Sequence, residues 1–266
     1  MEIQLWREIL APYELGVNEL VVKFSHIIDE YRDIGLYSPI EQVNGRVKKI
    51  SSILEKAQKK GIDVSEINEK LEDIAGVRII CQFVEDIYSV VDIIKKRSDM
   101  EIKYEKDYVA NIKPSGYRSY HIVVYYNVET MRGPNRIQAE IQIRTLAMNF
   151  WATIEHSLQY KYRYNIPEQI KDRLGAASSA IINLDNEMSS VHEEIMNAQQ
   201  SFQYKANVVR DILNNIQNLY KVANPKEVIK MQDEFYKIYK KDDLEELEKF
   251  GRELDVLAES YRAQGL

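Results

Sequence analysis

The hydrophobic pattern changes period once between residues 137 and 158. Ile137, Ala139, Ile141 and Ile143 alternate with Gln138, Glu140, Gln142 and Arg144, the two-residue repeat of a strand with one face in a core. From Thr145 the apolar positions Ala147, Phe150, Trp151, Ile154 and Leu158 recur at helical spacing, which predicts an amphipathic helix packed back on the sheet. A carboxylate, an amide and a guanidinium thus share the open face of one strand.

The same reading extends to both ends. Residues 3–35 carry Leu10, Leu15, Val17, Leu20, Val21, Phe24, Ile27, Ile28 and Tyr31 on a helical repeat, with a kink or restart expected at Pro12. Residues 64–72 predict a short helix with Ser65 as N-cap and Asn68 at the capping-box position. Residues 75–84 predict a strand with Val77, Ile79, Cys81 and Phe83 on one face and Arg78, Ile80 and Gln82 on the other. A helix over 86–96 and strands over 101–108 and 119–126 follow, and Gly133-Pro134-Asn135 turns the last of these into the central strand. After Pro167 only helices are expected, over 170–199, 201–222, 225–240 and 244–263, as packing or oligomerisation elements. The chain therefore reads as strands and helices together through residues 1–200, with an all-helical extension over 201–266.

Composition narrows the chemistry. With 45% hydrophobic and 29% charged residues in 266, the chain can bury a full core. No run approaches 18 apolar residues and the N-terminus lacks a signal-peptide pattern, so no membrane partner is expected and the cytoplasm is the expected location. The one cysteine, Cys81, excludes an internal disulfide and falls on the apolar parity of its strand, as a buried structural thiol would. A net charge of −6 argues against DNA and other sequence-independent nucleic-acid binding. Nucleotide chemistry then requires a local basic cluster.

Residues 43–60 supply one: Arg46, Lys48, Lys49, Lys56, Lys59 and Lys60 face Glu55 alone. The run is either a solvated face or a phosphate site, with Gly45 letting the chain approach a ligand closely. Asp73 is either a surface carboxylate or a strand-edge Mg²⁺ ligand. The loop 106–121, KDYVANIKPSGYRSYH, is dense in donors and aromatics, with Lys106 and Lys113 available to phosphates and Tyr117, Arg118 and Tyr120 offering flat surfaces to bases. Two carboxylates, Asp73 and Glu140, from two strands can share a metal, or one can hold it while the other takes a proton. Together these groups describe a metal-dependent phosphoryl or pyrophosphoryl transfer site. No G-x-x-x-x-G-K-[ST] loop, G-x-G-x-x-G or His-Asp dipeptide occurs.

Three stretches, DIAGVRIICQF (73–83), KPSGYRSYH (113–121) and EIQIRTLAMNFWATIEHSLQYKY (140–162), resemble the synthetase domain of the RelA/SpoT family, most closely its RelQ-type small alarmone synthetases. The resemblance spans residues 6–199 and implies an α+β fold, a mixed sheet flanked by helices and related to the nucleotidyltransferases. It implies transfer of pyrophosphate from ATP to the 3′-OH of GDP or GTP, with GMP left open, Mg²⁺ as cofactor, and AMP released in stringent-response signalling. By similarity Arg46 and Arg78 clasp adenine and Lys48 and Lys56 meet ATP phosphates. Asp73 holds Mg²⁺, and Glu140 shares the metal or acts as base. Tyr117 stacks on guanine, Lys113 and His121 meet the acceptor's 5′ phosphates, and Asn149 contacts the guanine edge. Lys106 occupies a position that is basic or acidic in long members of the family, and Gln142 and Arg144 support the site.

The resemblance also implies a homotetramer with no hydrolase activity. Regulated relatives bind an alarmone between subunits through first-helix lysines and an aromatic; the aligned positions here are Val21, Ser25 and Gln42, so activation by alarmone is not expected. Two alternatives stay open. One is a toxin that pyrophosphorylates the 3′ end of tRNA. The other is a non-catalytic nucleotide- or RNA-binding module, although nothing in the sequence points to RNA.

Overall fold

A computed structural model describes residues 2–161, 167–221 and 223–264; Tyr162 and Val222, expected at helix ends, lie outside them. The element order is α1 (Glu2–Asp33), β1 (Gln42–Val47), α2 (Ile50–Lys60), a 3₁₀ turn (Val64–Glu66), α3 (Ile67–Lys70), β2 (Ala75–Cys81), α4 (Val84–Lys95), β3 (Met100–Asp107), β4 (Tyr120–Thr130), β5 (Gly133–Thr145), α5 (Leu146–Lys161), α6 (Glu168–Leu219), α7 (Pro225–Lys241) and α8 (Leu244–Gln264). The sheet runs β1-β2-β5-β4-β3. Only β2 and β5 pair in parallel; the other ladders are antiparallel. The mixed sheet with flanking helices and a helical C-terminal region is the α+β arrangement expected.

One face of the sheet is dry. Val43, Ile79, Ile143 and Tyr120 form one row across four strands, and Gly45, Val77, Ile141 and Ile122 form the next. α1 supplies Leu10, Tyr13, Val17, Leu20, Phe24 and Ile27 to the same core, and α4 supplies Ile87, Val90, Val91 and Ile94. This stripe carries α1 unbroken through Pro12: the lost backbone hydrogen bond costs ~3 kcal/mol, and each buried aliphatic side chain contributes ~1.5–3 kcal/mol.

Gly45 serves this packing. A Cβ there would lie 2.5 Å from Val17 Cγ1 and 2.6 Å from Val21 Cγ2, so the glycine admits α1 against β1 rather than a ligand.

Several local expectations are corrected. The basic run over 43–60 divides into β1 and α2, and β1, as a largely exposed edge strand, carries little alternation to read. Asp63, not Ser65, caps the 3₁₀ turn, its side chain accepting from Ser65 N. The β4–β5 turn is Met131–Arg132, ahead of Gly133, whose φ of 102° suits glycine. No break occurs near residue 200, because Gln199–Gln203 contains neither Gly nor Pro. α5 buries Met148, Trp151 and Ala152, whereas Phe150 and Ile154 are exposed.

The chain divides into two compact units, Met1–Ser190 and Val191–Leu266. The second has its own core of Ile212, Ile216, Leu219, Val228, Phe235, Leu247, Phe250, Leu254 and Ala258. Asn224 caps α7 by accepting from Lys226 N, with Pro225 in the first turn where no N–H is needed.

Candidate active site

The polar face of the sheet is laid out by register, because ladder partners put their side chains on one side. One row runs Asn44, Arg78, Gln142, His121 and Lys106 across all five strands, and the next runs Arg46, Gly76, Glu140, Val123 and Tyr104. Five of the expected site residues therefore share this face with Glu140 through strand pairing alone.

Glu140 is held from two sides. Gln142 Nε2 donates to its Oε2 at 2.9 Å, and His121 Nδ1 lies 2.9 Å from its Oε1. Arg144 Nη2 donates to Gln142 Oε1 at 2.8 Å and to Tyr117 Oη at 2.5 Å, and Tyr117 Oη lies 2.8 Å from His121 Nε2. These contacts close a ring of five residues. Arginine has no acceptor, so the Tyr117 hydroxyl accepts from it and turns its own proton to His121 Nε2. In a neutral ring Nδ1 is then the donor to Glu140. Both arms start at Arg144 and end on the carboxylate. Burial pushes the Glu140 carboxyl up, but the bonds from His121 and Gln142 outweigh it and leave it below its ordinary value.

Asp73 forms the second centre. Lys48 Nζ and Lys56 Nζ donate to its Oδ2 at 2.6 and 2.7 Å. Burial raises this carboxyl, and the two ammonium groups overcome it and hold the group below the usual carboxylate range. Its other oxygen, Oδ1, is buried without a hydrogen-bond partner. Among the described residues no group of three or more His, Cys, Asp or Glu gathers to hold a metal. Asp73, with its unpartnered Oδ1, and Glu140 fit an ion such as Mg²⁺, which takes one or two carboxylates and completes its shell with water and substrate phosphates. Asp73 also acts on Glu140 as a like charge.

The remaining expected residues are placed less completely. Arg78 is half-buried with Nε unpartnered; burial lowers its pKa, and the charges of Arg144 and Arg46 lower it further. Lys113 Nζ stands 4.1 Å from the Tyr108 ring centroid and 4.8 Å from that of Tyr117. Lys106 Nζ lies 4.7 Å from the Tyr104 centroid. Asn149 Oδ1, in the first turn of α5, is buried without a partner and makes no hydrogen bond to the ring of five.

Arg118 and Tyr120 do not join the face. Tyr120 sits in the apolar row and packs edge-on against Tyr88 at 6.1 Å, while Arg118 is buried against Asp185. Parity explains Tyr120, because it alternates with His121 at the start of β4 and a strand sends successive side chains to opposite faces.

Residues the sequence reading passed over flank the site. Tyr108 meets His121 edge-on at 5.3 Å. Glu72 accepts from Lys103 at 2.8 Å and from Tyr104 at 2.6 Å, and Gln138 Nε2 donates to Glu69 O at 2.8 Å. Gln138 and Tyr104 lie on the polar parity of their strands, which is the signal available for them. Two ionised carboxylates, a cluster of cations and an aromatic loop can bind polyphosphates, neutralise charge and accept a proton.

A profile described as the region found in RelA/SpoT proteins matches residues 45–165. The GTP pyrophosphokinase YjbM of Bacillus subtilis is 51% identical over 205 residues, 77% of this chain and 97% of that one. The crystal structure of small alarmone synthetase 1 from B. subtilis bound to its product pppGpp superposes with a TM-score of 0.70 at 52% identity, covering 72% of this chain and 98% of that one. The same synthetase bound to AMPCPP gives a TM-score of 0.65 at 47% identity, covering 73% and 98%. The chain belongs to the RelA/SpoT family, among its small alarmone synthetases.

Proposed function

We propose that this chain is a (p)ppGpp synthetase that transfers the pyrophosphoryl group of ATP to the 3′-hydroxyl of GDP or GTP and releases AMP. The observation that carries the reading is Glu140, an ionised carboxylate fixed by two hydrogen-bond arms on a rigid strand, with Asp73, Lys48 and Lys56 beside it. Pre-organisation of this kind is what phosphoryl-type transfer draws on, because it depends mainly on positioning and charge neutralisation.

In this reading the adenine lies between Arg46 and Arg78, and Lys48 and Lys56 leave Asp73 to meet the ATP phosphates. Asp73 and Glu140 would hold Mg²⁺, which would neutralise charge on the polyphosphate. Glu140 takes the proton of the 3′-hydroxyl as its oxygen bonds to the β-phosphorus, and the bond from that phosphorus to the AMP oxygen breaks. Tyr117 stacks on guanine, Lys113, Lys106 and His121 face the acceptor phosphates, and the unpartnered Oδ1 of Asn149 accepts from the guanine edge. Gln142 and Arg144 hold the base in place.

We assign no hydrolase activity, a cytoplasmic location and a homotetramer, with residues 1–200 as the synthetase and 201–266 as an appendage. The exposed apolar side chains Leu146, Phe150 and Ile154 of α5 support an assembly that covers them. No described helix is long and apolar enough to cross a membrane.

The test is purified protein with ATP, Mg²⁺ and GMP, GDP or GTP, followed by chromatography of the nucleotides. AMP and a guanosine 3′-pyrophosphate should appear together. ATP left intact with every acceptor would contradict the reading, and pyrophosphate found only on tRNA would reassign the substrate.

A further inference from the structure

The loop that would receive the guanosine nucleotide is not held by the sheet alone. Within the first unit, α6 ties it down at two points. Ser178 Oγ donates to Gly116 O at 2.7 Å. Gly116 has a φ of +86°, and a Cβ on it would stand 2.6 Å from Ser178 Cβ, so the turn before Tyr117 is seated directly on the helix. Two turns further along, Asp185 accepts from Arg118 Nη1 at 2.8 Å with one oxygen and from Thr145 Oγ1 at 2.9 Å with the other.

Asp185 therefore adds a buried tie between the loop and the end of β5, beyond the Tyr120–Ile143 pairing and the Arg144–Tyr117 bond. Arg118 follows Tyr117 directly. Thr145 ends the strand that carries Glu140, Gln142 and Arg144, and its hydroxyl also caps α5 by accepting from Met148 N at 3.1 Å. Arg118 and Asp185 are both buried, with side-chain exposures of 8% and 4%. Burial pushes the Asp185 carboxyl upward against the bonds from Thr145 and Arg118, so each partner depends on the others. A buried ion pair of this sort is a poor source of stability compared with apolar packing but a strict fixer of geometry.

We propose that Asp185 is a positioning residue for the guanosine acceptor: by holding Arg118 and Thr145 together it sets Tyr117 against the strand that carries the base, with Ser178 fixing the other end of the loop at Gly116. The inference rests on the synthetase reading above. It touches the acceptor side alone, because Asp73, Lys48, Lys56, Arg46 and Arg78 make no bond to α6 among those described.

The experiment compares Asp185→Asn and Ser178→Ala with the unaltered full chain, measuring separate KM values for ATP and for whichever of GDP and GTP the unaltered chain uses. A misplacement of about 1 Å can cost about a hundredfold. Asp185→Asn is expected to raise the acceptor KM about tenfold or more, with the KM for ATP within about twofold. Ser178→Ala should shift the same constant in the same direction by a smaller factor. Unchanged acceptor KM in folded Asp185→Asn, or equal rises for both substrates, would overturn the proposal. If Asp185→Asn fails to fold, Ser178→Ala decides alone, and an unaltered acceptor KM there overturns it. Absence of product with the unaltered chain would instead overturn the synthetase reading itself.

Discussion

Arg144 Nη2 donates to Tyr117 Oη at 2.5 Å and to Gln142 Oε1 at 2.8 Å, so one guanidinium feeds both hydrogen-bond arms that end on Glu140. Charge-assisted hydrogen bonds contribute ~1.5–3 kcal/mol each. Arg144→Met removes the common source and lets Gln142 and Tyr117 turn away. We expect kcat to fall by ~10-fold or more while the KM for ATP stays within about twofold. Steady-state kinetics check this, and an unchanged kcat would show that the arms do not set the base.

Tyr117 has two separable parts. Its ring, with Lys113 Nζ 4.8 Å and Arg144 Cζ 5.1 Å from the centroid, is the part assigned to base stacking, and its hydroxyl belongs to the ring of five residues. Tyr117→Phe should leave the acceptor KM near normal and lower kcat. Tyr117→Ala should raise the acceptor KM as well, by the ~1–3 kcal/mol typical of base–aromatic stacking. Identical behaviour of the two variants would exclude a stacking role.

The extension is expected to be dispensable for chemistry. The buried apolar residues of the second unit lie between Ile212 and Ala258, and those of the first unit lie at or before Ala152. Ending the chain after Gln199 keeps Ser178 and Asp185 and leaves the first core closed. Turnover per site should stay within about twofold of the full chain. An insoluble or inactive product would show that the two units fold as one.

How much of this was legible follows from where each signal lives. The central strand announced itself because Ile137–Arg144 buries one parity and leaves the other polar, so local alternation and tertiary environment agree. β1 did not, since an edge strand with most positions exposed imposes no such pattern. Asp73 and Glu140 could be named as candidates from strand ends and parity, but the pairing of Lys48 and Lys56 on one oxygen of Asp73 is a contact across 25 and 17 residues. Asp185 was beyond reach for the same reason: its partners lie 67 and 40 residues away. The face of α5 was misjudged because Met148 and Phe150 are equally apolar, and only docking decides which one turns inward.

Away from the site, Asp99 provides a pH test. Hydrogen bonds from Arg97 and Lys23 hold its carboxyl far below the ordinary range despite some burial. A depressed pKa adds stability above the unfolded value of about 3.9 and loses it as pH falls below that towards the folded value. Asp99→Asn should therefore be less stable than the unaltered chain at neutral pH and converge with it in acid. Thermal melts across pH check this; parallel curves would contradict the sign.

The account stands most directly on Glu140. Glu140→Gln keeps the shape and an oxygen for His121 while removing the charge that takes the proton and shares the metal. Turnover should fall by ~100-fold or more, with ATP and guanosine nucleotide binding by calorimetry retained. Near-normal turnover in that variant would contradict the assignment of this strand face as the reacting centre.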